Sequence, residues 1–570
     1  MDARHETVRR GLPYSAGVNS RLFPILLLLA SACRPPTGPG GMVRPGTPPQ
    51  VDIVRARERG LTQSFQWEEW GPEAFARAKR EGRYLLIDGA AEWCHWCHVM
   101  DETTYRDPEV GRLLRERFVA IRVDVDARPD LAERWEDYGW PATILLNPEA
   151  EEVGKYRGYL PPERLLALLR RVEVLARESQ GAPASLRVDP AATPAMLPWV
   201  SASALQRMDD LYDSREGSWG AFQKTPIAEN LELEVRRAAR GDATARSRVV
   251  FTLAKQRPIH DPVWGGVYQY SGARHWNEQH YEKLMTLQAP NLEAYARAWA
   301  LTQDASVLTQ ARAIARYMET FLGAPDGTFY TNQDADVGAH DRSIPFVDGH
   351  LYYGLDDAGR RTHGIPWVDT HVYSRENGLA IAALLVLHEV TGDAELLVRA
   401  RKAADALLST HVRDEGKVWR EATHRSGARF LGDAAALGRA LALLAQRTGE
   451  APYREAALRV GERLLKDFAA PEGGALFEAT PDSDAVGVFA RRERPFSQNV
   501  AAARFLAALH ALTGDGTWQE RGREVLAGIS TANGIASQGR MIGEYLLAAD
   551  ELGVIPWPES VPRPAQTATR

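Results

Sequence analysis

Asp88-Gly89-Ala90-Ala91-Glu92-Trp93-Cys94-His95-Trp96-Cys97-His98 is the stretch on which the reading of this chain turns. Ahead of it, Tyr84–Asp88 is a compact apolar run with strand character, and the sequence from Cys94 to Met100 reads as the start of a helix. Two cysteines one turn apart at a helix amino terminus suit thiol–disulfide exchange. The thiolate is the attacking species, and the helix dipole favours the anion on Cys94. Cys97 is then placed to resolve a mixed disulfide, and Asp88 to carry the proton that Cys97 exchanges. Trp93, His95, Trp96 and His98 are placed to tune the potential. Cys-x-x-Cys-His is also the pattern for covalent haem, with Met100 or another histidine reaching the iron, and such a cluster can hold zinc. The dithiol reading is preferred because strand, acid and helix fall where it needs them, whereas zinc lacks a second ligand pair at finger spacing. No cofactor is expected beyond a reversible Cys94–Cys97 disulfide.

Further elements extend the pattern. Pro72–Arg80 reads as a helix with Phe75 and Ala78 on one face, and Asp107–Arg117 as a helix carrying Val110, Leu113 and Leu114. Phe118–Val125 reads as a strand, Asp130–Tyr138 as a short helix and Gly139-Trp140-Pro141 as a break. Ala142–Asn147 and Glu152–Arg157 form a hairpin, and Pro161–Arg177 is a closing helix. This order resembles thioredoxin and predicts an α/β thioredoxin-like domain over residues 61–180. The resemblance implies a cis bond before Pro141, which would open the backbone beside the sulfurs to an extended substrate.

The chain has 570 residues, too many for one ordinary core, with 44% hydrophobic and 25% charged residues. Its net charge is −6 and it has no long basic run beyond the amino terminus, so nucleic acid is not an expected partner. Three cysteines, Cys33, Cys94 and Cys97, make no structural disulfide framework. Fifteen Trp and eighteen Tyr are read chiefly as core, with an aromatic-lined pocket as the alternative.

At the amino terminus, Arg9, Arg10 and Arg21 precede the apolar run 22–32, in the order of an export signal. That run is too short to span a membrane. Ala30-Ser31-Ala32-Cys33 resembles a bacterial lipobox, so residues 1–33 read as a lipoprotein-type signal with lipidation at Cys33. Residues 34–60 then read as a Pro/Gly-rich tether. Arg34 after the cysteine leans to the outer membrane or periplasm rather than the inner membrane. The expectation is an exported protein of the bacterial cell envelope, attached by lipid only.

After a linker at 181–199, residues 200–556 are almost all helix by periodicity, before a disordered tail at 557–570. Helices are read at Asn291–Ala300, Ala305–Phe321, Asn377–Thr391, Ala394–Leu408, Ala434–Arg447, Tyr453–Phe468, Val500–Leu512, Trp518–Ile529 and Arg540–Leu552. Between them recur Glu216-Gly-Ser-Trp-Gly-Ala-Phe222, Trp264-Gly-Gly-Val-Tyr268, Asp326-Gly-Thr-Phe-Tyr330 and Gly473-Gly-Ala-Leu-Phe477. Such a repeat marks stacked helical hairpins. About a dozen helices fit an all-α (α/α)6 toroid of the six-hairpin glycosidase type, with an open solenoid as the alternative. In a toroid the Gly-aromatic turns are expected to line a central cavity.

Taken together, the chain over about 65–550 resembles the spermatogenesis-associated protein 20-like family, in which a thioredoxin-like domain is fused to a sugar-epimerase-like helical toroid. Cys94–Met100, Trp264–Tyr270, His275-Trp276, His280-Tyr-Glu-Lys283, Asp334-Ala-Asp336 and Asn377-Gly-Leu379 carry the likeness. The chain departs from the family at Glu376, at Phe496-Ser497-Gln498-Asn499 and in having Asp88. The toroid candidates for binding a ligand are His275, Trp276, His280, Glu282, Lys283, Asp334, Asp336, Asn377 and Asn499. Histidines and carboxyls at the mouth could serve epimerisation or glycoside cleavage. No metal site is expected, because His275 and His280 do not share a helical face and Glu282 completes no His-Glu-x-x-His.

The expected function is a thiol–disulfide oxidoreductase of the envelope. Its substrate would be a protein or small-molecule disulfide, its partner an envelope electron carrier, and its toroid would bind a ligand or partner. The alternatives are a carbohydrate-active toroid with an accessory thioredoxin-like domain, taking a saccharide, and a non-catalytic binding protein.

Overall fold

A computed structural model of the chain describes residues 53–135, 139–180, 189–423, 427–483 and 485–557. The stretch read as a signal segment, with Cys33, most of the one read as a tether, and the one read as a tail except Trp557 lie outside the described residues. Residues 46–570, which include every described residue, form one compact unit.

Its first part runs α1 (Ile53–Glu58), α2 (Pro72–Glu81), β1 (Tyr84–Ala90), α3 (His95–Thr103), α4 (Pro108–Arg117), β2 (Phe118–Asp124), α5 (Pro129–Trp135), β3 (Ala142–Leu146), β4 (Glu152–Arg157), α6 (Pro162–Arg170) and α7 (Val172–Gln180). The sheet order is β2-β1-β3-β4, with β1 parallel to β2 and antiparallel to β3. This is the thioredoxin-like arrangement. β1 reads as a continuous apolar run because both faces are covered. Leu85 and Ile87 pack with Phe75, Val119 and Ile144, while Leu86 packs with Met100, Leu113 and Ala120 under α3 and α4. Asp88 follows Leu86 at the strand period of two, so it faces α3. The closing helix expected over Pro161–Arg177 is instead two helices, because the backbone leaves the helical region at Arg171 (φ −99°, ψ 4°).

The second part contains α8 (Leu197–Asp210), α9 (Ala228–Ala239), α10 (Ala243–Lys255), α11 (Met285–Thr302) and α12 (Ala305–Phe321). Two short helices follow, α13 (Gly349–Tyr352) and α14 (Asp357–His363), and then α15 (Ser374–Thr391), α16 (Ala394–Thr410), α17 (Leu431–Thr448) and α18 (Ala451–Asp467). The last are α19 (Phe496–Thr513), α20 (Gly516–Ile529), α21 (Ala532–Ser537) and α22 (Gly543–Glu551). An inner ring α9-α11-α15-α17-α19-α22 closes back on α9, and α10, α12, α16, α18, α20 and α8 pack outside it. The ring is a closed (α/α)6 toroid, and the return of α22 to α9 excludes the open solenoid. α8 begins inside the stretch read as linker, and α8, α9 and α10 were not among the helices read from periodicity.

Inner helices are buried almost all round: in α15 every residue from Ala380 to Leu387 is buried, whereas α16 buries only Ala400, Ala403, Ala404 and Leu407. Close approach needs small residues, since a Cβ on Gly378 would lie 2.5 Å from the carbonyl carbon of Ala436 in α17. The hairpin turns share one device. Each of α15 and α19 ends on a left-handed glycine, Gly392 (φ 73°) and Gly514 (φ 74°), followed at once by an aspartate, Asp393 or Asp515, that caps the outer helix. Gln303 (φ 56°) and Asp304 do the same between α11 and α12.

The Gly-aromatic turns, expected to line a central cavity, instead place most of their aromatic residues in the core. Trp264, Tyr268 and Phe329 are buried in the core. In three of the four motifs an amide side chain from the first turn of an inner helix clamps the fourth residue by both backbone groups. Asn377 Oδ1 accepts from Phe329 N (2.7 Å) and its Nδ2 donates to Phe329 O (2.9 Å). Asn499 repeats this on Leu476 (2.7 and 2.9 Å), and Gln288 on Val267 (2.7 and 2.6 Å). Asn377 and Asn499 are therefore structural, not ligand-binding. Asn377→Ala leaves the Phe329 amide and carbonyl unpaired, and is expected to cost about 2 kcal/mol in chemical denaturation. An unchanged midpoint would refute the clamp.

Candidate functional site

Cys94 caps α3. Its backbone is extended (φ −87°, ψ 104°) and its sulfur accepts from the Cys97 N–H at 3.2 Å. The two cysteines are joined as a disulfide, and the Trp140–Pro141 bond is cis. Beneath them Asp88 accepts from the Tyr105 hydroxyl at 3.0 Å and from Arg122 Nε at 3.1 Å. Burial pushes its carboxyl above the ordinary range, against the pull of Arg122. Trp93 Nε1 donates to Asp126 at 2.7 Å, and Asn332 of the toroid donates to the same carboxylate oxygen at 2.8 Å. Trp96 lies between His95 and Tyr159.

Residues of both domains cover the sulfurs. Cys94 and Cys97 are each 4% exposed, and share an apolar cluster with Trp96, Trp140, Leu284 and Leu287. The two histidines of the motif reach across the junction. His95 Nδ1 lies 2.6 Å from Asp336 Oδ2, and His98 Nε2 lies 2.9 Å from Asp334 Oδ2. Backbone groups fix these carboxylates: the Asp336 N–H donates to Asp334 Oδ1 (3.0 Å) and the Gly349 N–H to Asp336 Oδ1 (2.8 Å). Burial pushes the His95 imidazole down, but Asp336, aided by Glu282 and Asp348, outweighs it and raises the pKa to about 9. For His98 burial again lowers and Asp334 raises, with a net upward shift. Asp334 and Asp336, read from sequence as acids at an independent toroid mouth, thus belong with the cysteine motif.

Glu282 joins this cluster. It is buried, its Oε2 has no hydrogen-bond partner, and burial pushes its carboxyl up to about 7 despite the nearby His95. His280 stacks on Tyr270 (ring centroids 4.1 Å apart), and burial, reinforced by His95 and His350, holds it at about 3. The remaining candidates fall elsewhere. His275 is exposed beside Glu278. Trp276 is core, its Nε1 donating to Glu216 O at 2.8 Å. Lys283 is fully buried and bonds Asp261 (2.7 Å) and Gly265 O (2.8 Å), so its ammonium serves the fold. Two members of the site were missed in the sequence, His340 (Nε2 3.1 Å from Asp334 Oδ2) and Asp348, which lies with His95 and Asp336. His95 and Asp336 are 241 residues apart, so no local pattern links them. The six-residue step from Asp334 to His340 was the one available hint.

Residues 58–180 match the family Thioredox_DsbH, described as a protein of unknown function, DUF255. The chain is similar to spermatogenesis-associated protein 20. The human protein is 29% identical over 350 residues, 54% of this chain and 44% of that protein, so the chain matches less than half of that relative's length. Thiol:disulfide interchange protein DsbD 2 of Pseudomonas aeruginosa is 35% identical over 80 residues, 14% of each. Among solved structures, D-mannose isomerase aligns with a TM-score of 0.47 at 12% identity, covering 65% of this chain and 99% of that one.

Proposed function

We propose that the chain is a thiol–disulfide oxidoreductase, exported to the cell envelope and held there by lipid at Cys33, whose dithiol works beneath a helical toroid. The observation that carries this reading is Cys94 capping α3 above the buried Asp88, with His95 and His98 paired to carboxylates alongside. The helix amino terminus and the two imidazolium groups all favour a thiolate on Cys94. In the reductive direction that thiolate attacks a substrate disulfide and releases one thiolate. The Cys97 thiolate then attacks Cys94 Sγ, closes the Cys94–Cys97 bond and releases the second thiolate. Two electrons pass to the substrate, and an envelope dithiol partner restores them; an oxidase runs the same steps in reverse. Because both sulfurs are covered, the substrate is a slender one, such as a small-molecule disulfide or an extended strand entering beside Pro141, or one that displaces the segment of Leu284 and Leu287.

The test is dithiothreitol-driven reduction of insulin and of a small disulfide by wild type and by Cys94→Ser. Wild-type turnover lost in the variant is expected; equal inactivity of both on every substrate would sink the reading.

A second reading, saccharide binding in the toroid, rests on a separate observation. Arg420 lies 3.8 Å above the Tyr373 ring and bonds Asp433 at 3.1 Å, while Tyr373 OH, Glu376 Oε2 and Asp433 Oδ2 around it are buried without partners. Such hydroxyl and carboxyl groups suit a polyol. Stabilisation by a mono- or disaccharide in a thermal-shift screen would support it, and no shift with any would count against it.

A further inference from the structure

We propose that His98 Nε2, Asp334 Oδ2 and His340 Nε2 form a binding site for one divalent transition-metal ion at the junction of the two domains. The set is two imidazoles and one carboxylate with no thiolate, a donor set suited to zinc and its first-row neighbours. Spacing selects this triad. Metal–ligand bonds of about 2.1 Å at right or tetrahedral angles place neighbouring donors roughly 3.0–3.4 Å apart. The two imidazole nitrogens lie 2.9 and 3.1 Å from Asp334 Oδ2. The three donors come from α3 and from a toroid loop distant in sequence, and all lie within 4.8 Å of one another. The neighbouring set His95, Asp336 and Asp348 is also compact, but its 2.6 Å His95–Asp336 contact is shorter than the roughly 3 Å that two donors to one ion keep.

The surroundings support an ion. The second oxygen of Asp334 is held by the Asp336 N–H, so Oδ2 stays aimed between the rings. The His98 and His340 rings meet edge to face with centroids 4.8 Å apart, and His340 is braced on Trp367 by stacking at 4.9 Å. The Glu92 carbonyl oxygen, 3.0 Å from His98 Nε2, offers a fourth donor at similar spacing. Glu282 adds a buried carboxylate oxygen, Oε2, without a hydrogen-bond partner among the described residues. His340 lies at the solvent edge, which leaves an approach for the ion. A metal here would clasp α3 to the toroid one residue from Cys97. None of the three donors is a sulfur, but the site shares His98 with the dithiol, and a metal-bound His98 would no longer be the imidazolium that favours the Cys94 thiolate.

The test uses the full, tag-free chain, stripped with chelator and kept in the disulfide form so that no thiolate competes. Zinc chloride is titrated by calorimetry, and bound metal is counted by elemental analysis after gel filtration. One equivalent per chain and a raised unfolding midpoint are expected. His340→Ala is expected to weaken binding about 100-fold or more while its metal-free midpoint stays that of wild type. Cys94→Ser/Cys97→Ser is expected to bind as wild type does. No stoichiometric zinc in wild type, equal binding by His340→Ala, or binding that disappears with the cysteines would each overturn the proposal.

Discussion

Asp261→Ala is expected to lower the toroid's stability by about 3–5 kcal/mol, seen as a large fall in the denaturation midpoint. Asp261 bonds Lys283 Nζ at 2.7 Å and both terminal nitrogens of Arg360 at 2.7 and 3.0 Å, and all three side chains are fully buried. Removing the carboxylate leaves two cations in a low-dielectric interior without a counter-charge. Stacking against Tyr317 and Tyr353 compensates only in part. The same group sets an acid limb. Burial pushes the Asp261 carboxyl up, but Lys283 and Arg360 outweigh it and hold it at about 2, below its ordinary 3.8. Its contribution is therefore complete above pH 4 and is lost as pH falls through about 2. Wild type should lose stability over that window more steeply than the variant. Equal midpoints, or equal slopes below pH 4, would show that the triad contributes nothing.

Asp88→Asn is expected to slow disulfide exchange at neutral pH by about 100-fold, with the loss in the step where Cys97 attacks the mixed disulfide. Asp88 lies on the α3 face of β1, below the helix that carries Cys97, and burial raises its pKa toward the range where it can trade a proton. Asparagine keeps the hydrogen bond from Tyr105 and loses the proton. Arg122 retains Asp101, so the fold is expected to hold. Single-turnover kinetics across pH distinguish a proton carrier from a packing residue. A carrier shifts the pH profile, whereas an unchanged profile with lower stability would leave Asp88 a purely structural role.

The thioredoxin-like domain was legible because its evidence is local. A buried strand, a capping cysteine, an acid at fixed spacing and a Trp-Pro break each declare themselves within a few residues. The toroid's existence was legible from periodicity, but its turns were misread. The recurring glycine and aromatic residues looked like a cavity lining, whereas Asn377, Asn499 and Gln288 clamp three of the four turns into the core. The Thr391-Gly392-Asp393 and Thr513-Gly514-Asp515 turns were a truer repeat, each a left-handed stop followed by a cap, and both stood in the sequence.

By itself the sequence determined the strand and helix around the Cys94–Cys97 pair and the order of the thioredoxin-like elements, because helix capping, strand burial and cysteine spacing act over a turn or a strand. Only the tertiary structure decided that the cysteine motif and the Asp334-Ala335-Asp336 loop are one site. The packing of the toroid loops on the thioredoxin-like domain brings His95 to Asp336 and His98 to Asp334 across more than two hundred residues, and sets Leu284 and Leu287 in the apolar cluster around both sulfurs. Pairing of that kind depends on how two domains pack, which no short-range pattern records.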